Sequence, residues 1–77
     1  NPFNPSTTIE FSIPTSGLVE MTVYDISGRA VETLQQGFLT AGNHQVTFAG
    51  KNLASGAYFY TLKSQGFQDV KKMLLIK

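Results

Sequence analysis

Few side chains in this sequence could carry out acid–base, nucleophilic or metal chemistry. The single histidine, His44, lies between Asn43 and Gln45 in a stretch of alternating apolar residues. The two aspartates, Asp25 and Asp69, lie in or beside separate turns, whereas a catalytic carboxylate pair needs a cleft between its members. The chain contains no nucleophile elbow, phosphate-binding loop or paired metal-ligand spacing. We therefore predict that it is not an enzyme and has no catalytic, cofactor-binding or metal site.

The composition excludes further classes of protein. The 77 residues include no cysteine, so neither a disulfide nor a thiolate zinc site can stabilise the fold. The formal net charge is only +1 at pH 7, whereas nucleic-acid-binding proteins concentrate lysine and arginine, so we expect no nucleic acid partner. No apolar stretch approaches the roughly 20 residues that span a bilayer as a helix. The length predicts one domain over residues 1–77, of modest stability.

The pattern of apolar residues predicts an all-β domain. β-Branched and aromatic residues, which favour strands, are abundant, and no long apolar stripe has the helical period. The predicted inward rows are Ile9, Phe11 and Ile13; Val19, Met21 and Val23; Val31, with Leu34 after a bulge; His44, Val46 and Phe48; and Tyr58, Tyr60 and Leu62. A separate short piece around Phe38 and Leu39 and a last strand over residues 67–76 bring the number of strands to seven. Seven short strands predict a seven-stranded antiparallel immunoglobulin-like β-sandwich.

The predicted turns are marked by glycine. Asp25, Ile26, Ser27 and Gly28 form a hairpin turn in which Gly28 is free to adopt a positive φ. Asp25 and Arg29 flank this turn and can pair across the hairpin. Because such exposed pairs contribute about 0 to 1 kcal/mol, we interpret them as structural. Residues 50–56 form the longest predicted irregular connection.

The aromatic residues are predicted to serve mainly as core. Alternation sends Tyr58 and Tyr60 inward and leaves Phe59 alone outside. A lone phenylalanine is a poor platform for a sugar. We expect the loss of a buried aromatic such as Phe11 or Tyr60 to be severe.

Four blocks of sequence together resemble a known family. The blocks are Asn1-Pro2-Phe3-Asn4-Pro5-Ser6-Thr7-Thr8-Ile9; Val23-Tyr24-Asp25 with Gly28-Arg29; Leu53-Ala54-Ser55-Gly56-Ala57-Tyr58-Phe59-Tyr60; and Lys71-Lys72-Met73-Leu74-Leu75-Ile76-Lys77. In this order they resemble, over the whole chain, the C-terminal sorting domain of type IX secretion system cargo (type A, Por secretion system family). The motif positions are Asn4, Pro5, Tyr24, Asp25, Gly28, Arg29, Gly56, Tyr58 and Tyr60.

The resemblance implies a sorting function without catalytic chemistry. Such domains fold in the periplasm of Gram-negative bacteria and are recognised by the outer-membrane type IX translocon. A sortase-like machine at the cell surface commonly removes them and joins the N-terminal cargo to anionic lipopolysaccharide, while other cargo is released. We expect this chain to be a fragment trimmed from a larger secreted or cell-surface protein and to end at that protein's native C-terminus.

A related family leaves an alternative open. The immunoglobulin-like C-terminal domain of flagellar hook-capping proteins is similar in its opening and in its hairpin. It usually carries a Trp-Asp-Gly-like segment where this chain has Phe48-Ala49-Gly50-Lys51-Asn52-Leu53. The alternative is a non-catalytic structural module, or a surface- or carbohydrate-binding module, of a larger extracellular enzyme.

The candidate recognition site is the basic C-terminal segment. It consists of Lys71, Lys72, Met73, Leu74, Leu75, Ile76 and Lys77. Lysines protect an edge strand from pairing with other chains. The translocon can recognise the same strand by strand addition and charge complementarity. An edge-strand dimer of the isolated chain is a further expectation.

Overall fold

The computed structural model describes residues 6–50 and 53–75, and within them the regular structure is all-β. The strands are β1 (Ser6–Ile13), β2 (Gly17–Asp25), β3 (Ala30–Leu39), β4 (Gly42–Ala49), β5 (Gly56–Ser64) and β6 (Phe67–Leu75). β1 pairs with β4, and the others form a four-stranded sheet in the order β3-β2-β5-β6. Every pairing is antiparallel. The prediction of an all-β, antiparallel domain is therefore confirmed. Over these residues no helix is long and apolar enough to cross a membrane.

The prediction of seven strands is wrong, because the described residues form six. The segment around Phe38 and Leu39, predicted as a separate strand, is the end of β3. Gly37, just before this segment, lies inside the ladder opposite Val19. Its φ of +149° is one that residues with a Cβ atom rarely adopt. Glycine tolerates this backbone, so the strand continues through it.

The predicted bulge on β3 is confirmed. The register of β3 on β2 shifts twice, which leaves Val31 and Leu34 without a partner in the ladder. Both side chains are half-buried and pack against the core. A bulge adds a residue and bends the strand, so both residues can face the core despite their odd spacing.

The two sheets share one hydrophobic core. Its buried members are Ile9, Ile13, Val19, Met21, Val23, Phe48, Tyr58, Leu62 and Leu75. Phe48 of the smaller sheet and Tyr58 of the larger one meet across the interface, with ring centroids 6.5 Å apart. Phe11 and Tyr60, which were predicted to be buried aromatics, are only half-buried against this cluster. Among the aromatic residues in the described ranges, Phe48 is the most buried, with 1% of its surface exposed.

Candidate functional site

The predicted recognition segment lies along an edge of the larger sheet. β6 pairs with β5 in an unbroken antiparallel register, and it is the last strand in the sheet order. Residues 71–75 therefore have one side paired with β5, and no described strand pairs with the other side. Ile76 and Lys77 lie outside the described residues.

Strand alternation divides this segment between two faces. Successive side chains of a strand point to opposite faces of the sheet. Met73 packs against the core and Leu75 is buried in it, whereas Lys72 and Leu74 belong to the outer row, with Leu74 68% exposed. Lys71 has the same orientation as Met73 but is exposed. The segment predicted as one unit thus consists of an anchored inner row and an exposed outer row.

A glycine in the β4–β5 connection accommodates the end of β6. A Cβ atom on Gly50 would lie 2.7 Å from Leu75 Cδ2, well inside the usual separation of non-bonded carbon atoms. Gly50 is buried, and its carbonyl accepts a hydrogen bond from the N–H of Leu53 at 3.0 Å. The bare backbone of Gly50 therefore lets Leu75 pack down onto the connection. This role of Gly50 was not predicted from the sequence. The only indication of it in the sequence is that Gly50 occupies the position of the glycine in the Trp-Asp-Gly-like segment of the related family.

Asp69 contacts its two neighbours in the N-terminal half of β6, Val70 and Lys71. The N–H of Val70 donates a hydrogen bond to Asp69 Oδ1 at 2.9 Å, and Lys71 Nζ lies 3.9 Å from Asp69 Oδ2. Burial and, second, the negative charge of Asp69 raise the pKa of Tyr60 on the neighbouring strand. The Lys71 and Asp69 side chains are 60% and 44% exposed, so the ion pair is weak. From the sequence, Asp69 was weighed only as a catalytic carboxylate, and its contact with the backbone of Val70 was not predicted.

The motif around Asp25 builds the β2–β3 hairpin. Asp25 Oδ1 accepts hydrogen bonds from the Ser27 hydroxyl at 2.6 Å and from the N–H groups of Ser27 and Arg29 at 3.0 Å. The Ser27 hydroxyl, followed by the backbone of Arg29, lowers the pKa of Asp25. Gly28 adopts a φ of +88°, in the left-handed region. Arg29 Nε lies 3.5 Å from Asp25 Oδ2, but its side chain is 80% exposed, so the pair adds little.

Other motif positions shape the entry into β5. The hydroxyl of Tyr58 donates a hydrogen bond to the carbonyl oxygen of Ala54 at 2.7 Å, which ties the buried ring to the preceding connection. Gly56 begins the strand with a φ of +152°. Asn4 and Pro5 lie outside the described residues.

Phe59 is not alone on the outer face of the sheet. The β2–β5 register places Tyr24 opposite Phe59, and the β5–β6 register places Lys72 on its other side. Tyr24 and Phe59 are both half-buried. The expectation of a lone outer aromatic is wrong because it considered one strand at a time.

The single histidine makes contacts within the smaller sheet and its preceding turn. His44 stacks on Phe11 with ring centroids 5.7 Å apart, and its Nε2 lies 2.6 Å from the carbonyl oxygen of Thr40. The described ranges contain no group of three His, Cys, Asp or Glu side chains that could hold a metal ion. The described residues thus form a small β-domain with an edge strand that carries two exposed lysines, Lys71 and Lys72.

Comparison with known proteins identifies the family. The model of the secretion system C-terminal sorting domain matches residues 1–77, the whole chain. The chain belongs to this family and is a C-terminal sorting signal for type IX secretion. The family is not catalytic, and its cargo is secreted or displayed on the surface of Gram-negative bacteria. Searches of curated proteins and of solved structures found no significant match.

Proposed function

We propose that the outer-membrane translocon recognises this sorting domain through β6 and the two residues that follow it. The recognition residues are Lys71, Lys72, Met73, Leu74, Leu75, Ile76 and Lys77. The observation that carries the proposal is that β6 is an edge strand with an exposed outer row and a core-anchored inner row. An anchored strand presents its backbone and side chains in one geometry, which lowers the entropic cost of binding.

Charge complementarity supports the same surface. Lys71 is partly neutralised by Asp69, whereas Lys72 forms no ion pair within the described residues. Lys72 therefore presents an uncompensated positive charge next to the exposed Leu74. We expect the surface of the translocon that meets it to be acidic, since complementary charges steer association and select partners.

The family resemblance supplies the rest of the proposal. Residues 1–77 form one domain with the cargo on its N-terminal side. After translocation, the sortase-like machinery removes this domain and attaches the cargo to the cell surface, or the cargo is released. An immunoglobulin-like sandwich is supported by Tyr58, whose hydroxyl bonds to a carbonyl upstream, as in the tyrosine corner of such domains.

A reporter fusion tests this function. The 77 residues are appended to a fluorescent protein that carries an export signal, in hosts with and without the type IX machinery. Surface or extracellular fluorescence should require the machinery. Deletion of residues 72–77 should leave the fluorescent cargo folded but retained in the periplasm, and normal export of this truncation would contradict the proposal.

A charge-reversal pair separates recognition of charge from recognition of the strand. Lys71→Glu with Lys72→Glu should reduce export if the translocon senses charge. The matched control, Lys63→Glu with Arg29→Glu, makes the same change of net charge at exposed positions outside β6. An equal loss of export in both double variants would assign the effect to net charge and count against a site on β6.

A further inference from the structure

The outer edge of β6 is partly closed by one of its own side chains. The N–H of Val70 donates to Asp69 Oδ1, so it points away from β5. Antiparallel pairs alternate along the ladder between hydrogen-bonded and non-hydrogen-bonded positions, and the β5–β6 register is unbroken. The N–H groups of Gln68, Lys72 and Leu74 therefore also point to the free edge.

We infer that the translocon adds an extended strand to the C-terminal half of β6, at the backbone of Lys72 and Leu74, while Asp69 closes the other half. This inference rests on the proposed function and names where on β6 binding occurs. Within the described residues, no side chain bonds to the N–H of Lys72 or Leu74. The N–H of Val70 is available to a partner only after Asp69 releases it.

The side chains around this half of the edge specify the chemistry of the added strand. Lys72 and Leu74 lie on the outer face, next to Phe59 and Ala57 of β5. A strand added along β6 places one side chain beside Lys72 and another, two residues further on, beside Leu74. The strand that fits has an acidic residue at the first position and an apolar residue at the second.

In the registers centred on Lys72 and on Val70, a second copy of this chain fits the edge less well than such a strand. An antiparallel copy centred on Lys72 places two lysines directly opposite each other, which destabilises a pair of strands. A copy centred on Val70 needs the Val70 N–H of both chains, and in each chain Asp69 already accepts a hydrogen bond from that N–H. Asp69 therefore protects the N-terminal half of the edge from self-pairing, as charged side chains do on other edge strands.

Proline variants test the edge directly, because proline lacks an N–H and is tolerated where that N–H faces solvent. In the reporter fusion, Lys72→Pro and Leu74→Pro should keep the folded circular dichroism spectrum and lose surface delivery to the level of the 72–77 deletion. Gln68→Pro, the matched change outside the docking half, should be delivered normally. Lys72→Gln removes the charge, keeps the N–H and should reduce delivery less than Lys72→Pro.

The outcomes separate this inference from the proposed function. Normal delivery of folded Lys72→Pro and Leu74→Pro overturns the inference, even where deletion of residues 72–77 abolishes export. If that deletion is exported normally, the proposed function itself fails.

Amide hydrogen exchange gives a readout that needs no proline variant. In the 77-residue chain, the amides of Lys72 and Leu74 should exchange fast, whereas those of Lys71 and Met73 should be protected by the ladder. The reverse pattern would overturn the assignment of the free edge.

Sedimentation equilibrium tests the role of Asp69. Asp69→Ala should form concentration-dependent dimers, because it frees the N–H of Val70. Asp69→Asn keeps an oxygen that accepts this hydrogen bond and should remain monomeric. A monomeric Asp69→Ala would show that Asp69 does not protect the edge.

Discussion

Replacing Gly50 with alanine should loosen the C-terminal end of β6. The new Cβ atom would lie 2.7 Å from Leu75 Cδ2, 3.1 Å from Cδ1 and 3.5 Å from Cγ. Both methyl groups of Leu75 therefore have to move, whereas its Cγ atom lies at an ordinary van der Waals separation. Gly50 does not have a positive φ, so the cost arises from this contact and not from backbone strain.

The size of the effect follows from the burial of Leu75. The residue is 8% exposed, and full burial of a leucine contributes about 1.5 to 3 kcal/mol. A displaced Leu75 keeps part of its contact, so Gly50→Ala should lower the free energy of unfolding by about 1 to 2 kcal/mol. For a domain of this size, each kcal/mol corresponds to about 4 to 8 °C in the thermal midpoint.

A double-mutant cycle measured by urea unfolding isolates this contact. Leu75→Ala alone should cost about 2 to 3 kcal/mol, and Gly50→Ala should then cost almost nothing further because the clashing atoms are gone. The expected coupling is about 1 to 2 kcal/mol. Gly17→Ala is the matched control, since its Cβ atom would have a nearest neighbour at 3.4 Å. Additive costs in the double variant would refute the role of Gly50.

Three further predictions concern stability. Phe48→Ala should lower the free energy of unfolding by about 3 to 5 kcal/mol. This is a large part of the total free energy of unfolding expected for 77 residues, roughly 4 to 12 kcal/mol. A urea midpoint close to that of the parent would contradict this prediction. Tyr58→Phe should cost about 1 kcal/mol, because the carbonyl of Ala54 loses its donor; calorimetry should show a lower thermal midpoint with an unchanged fold. The pKa of Asp25 is lowered in the folded state, first by the hydrogen bond from the Ser27 hydroxyl. The contribution of the Asp25 carboxylate to the free energy of unfolding is therefore complete above a pH of about 4, and it is lost as the pH falls through the pKa of Asp25 in the folded state. The stability difference between the parent and Asp25→Ala should therefore shrink in urea titrations below that pH, and a pH-independent difference would count against the assigned hydrogen bonds.

Much of the local structure was predictable because it depends on near neighbours in the chain. The alternation of Val19, Met21 and Val23 predicted a buried row, and the three are at most 2% exposed. The turn after Asp25 was predictable because it needs a glycine at Gly28 for a positive φ, which Gly28 provides. In each case the deciding contacts or dihedrals lie within a few residues.

The strand count was predicted wrongly because it depends on the neighbouring strand. Gly37 is compatible with a turn or with an extended position. Only its place opposite Val19 in the ladder decides between them.

The sequence by itself determined the β-class, the hairpin turn and the sorting family, since these depend on periodicity, local turn chemistry and ordered motifs. Only the tertiary structure decided that the basic segment has an anchored inner row and an exposed outer row. It alone brought Gly50 to Leu75, two residues far apart in the chain. It also showed that Asp69 bonds to the free edge of β6. The physical reason is that burial, edge position and close approach are properties of pairs of elements, which a linear pattern does not contain.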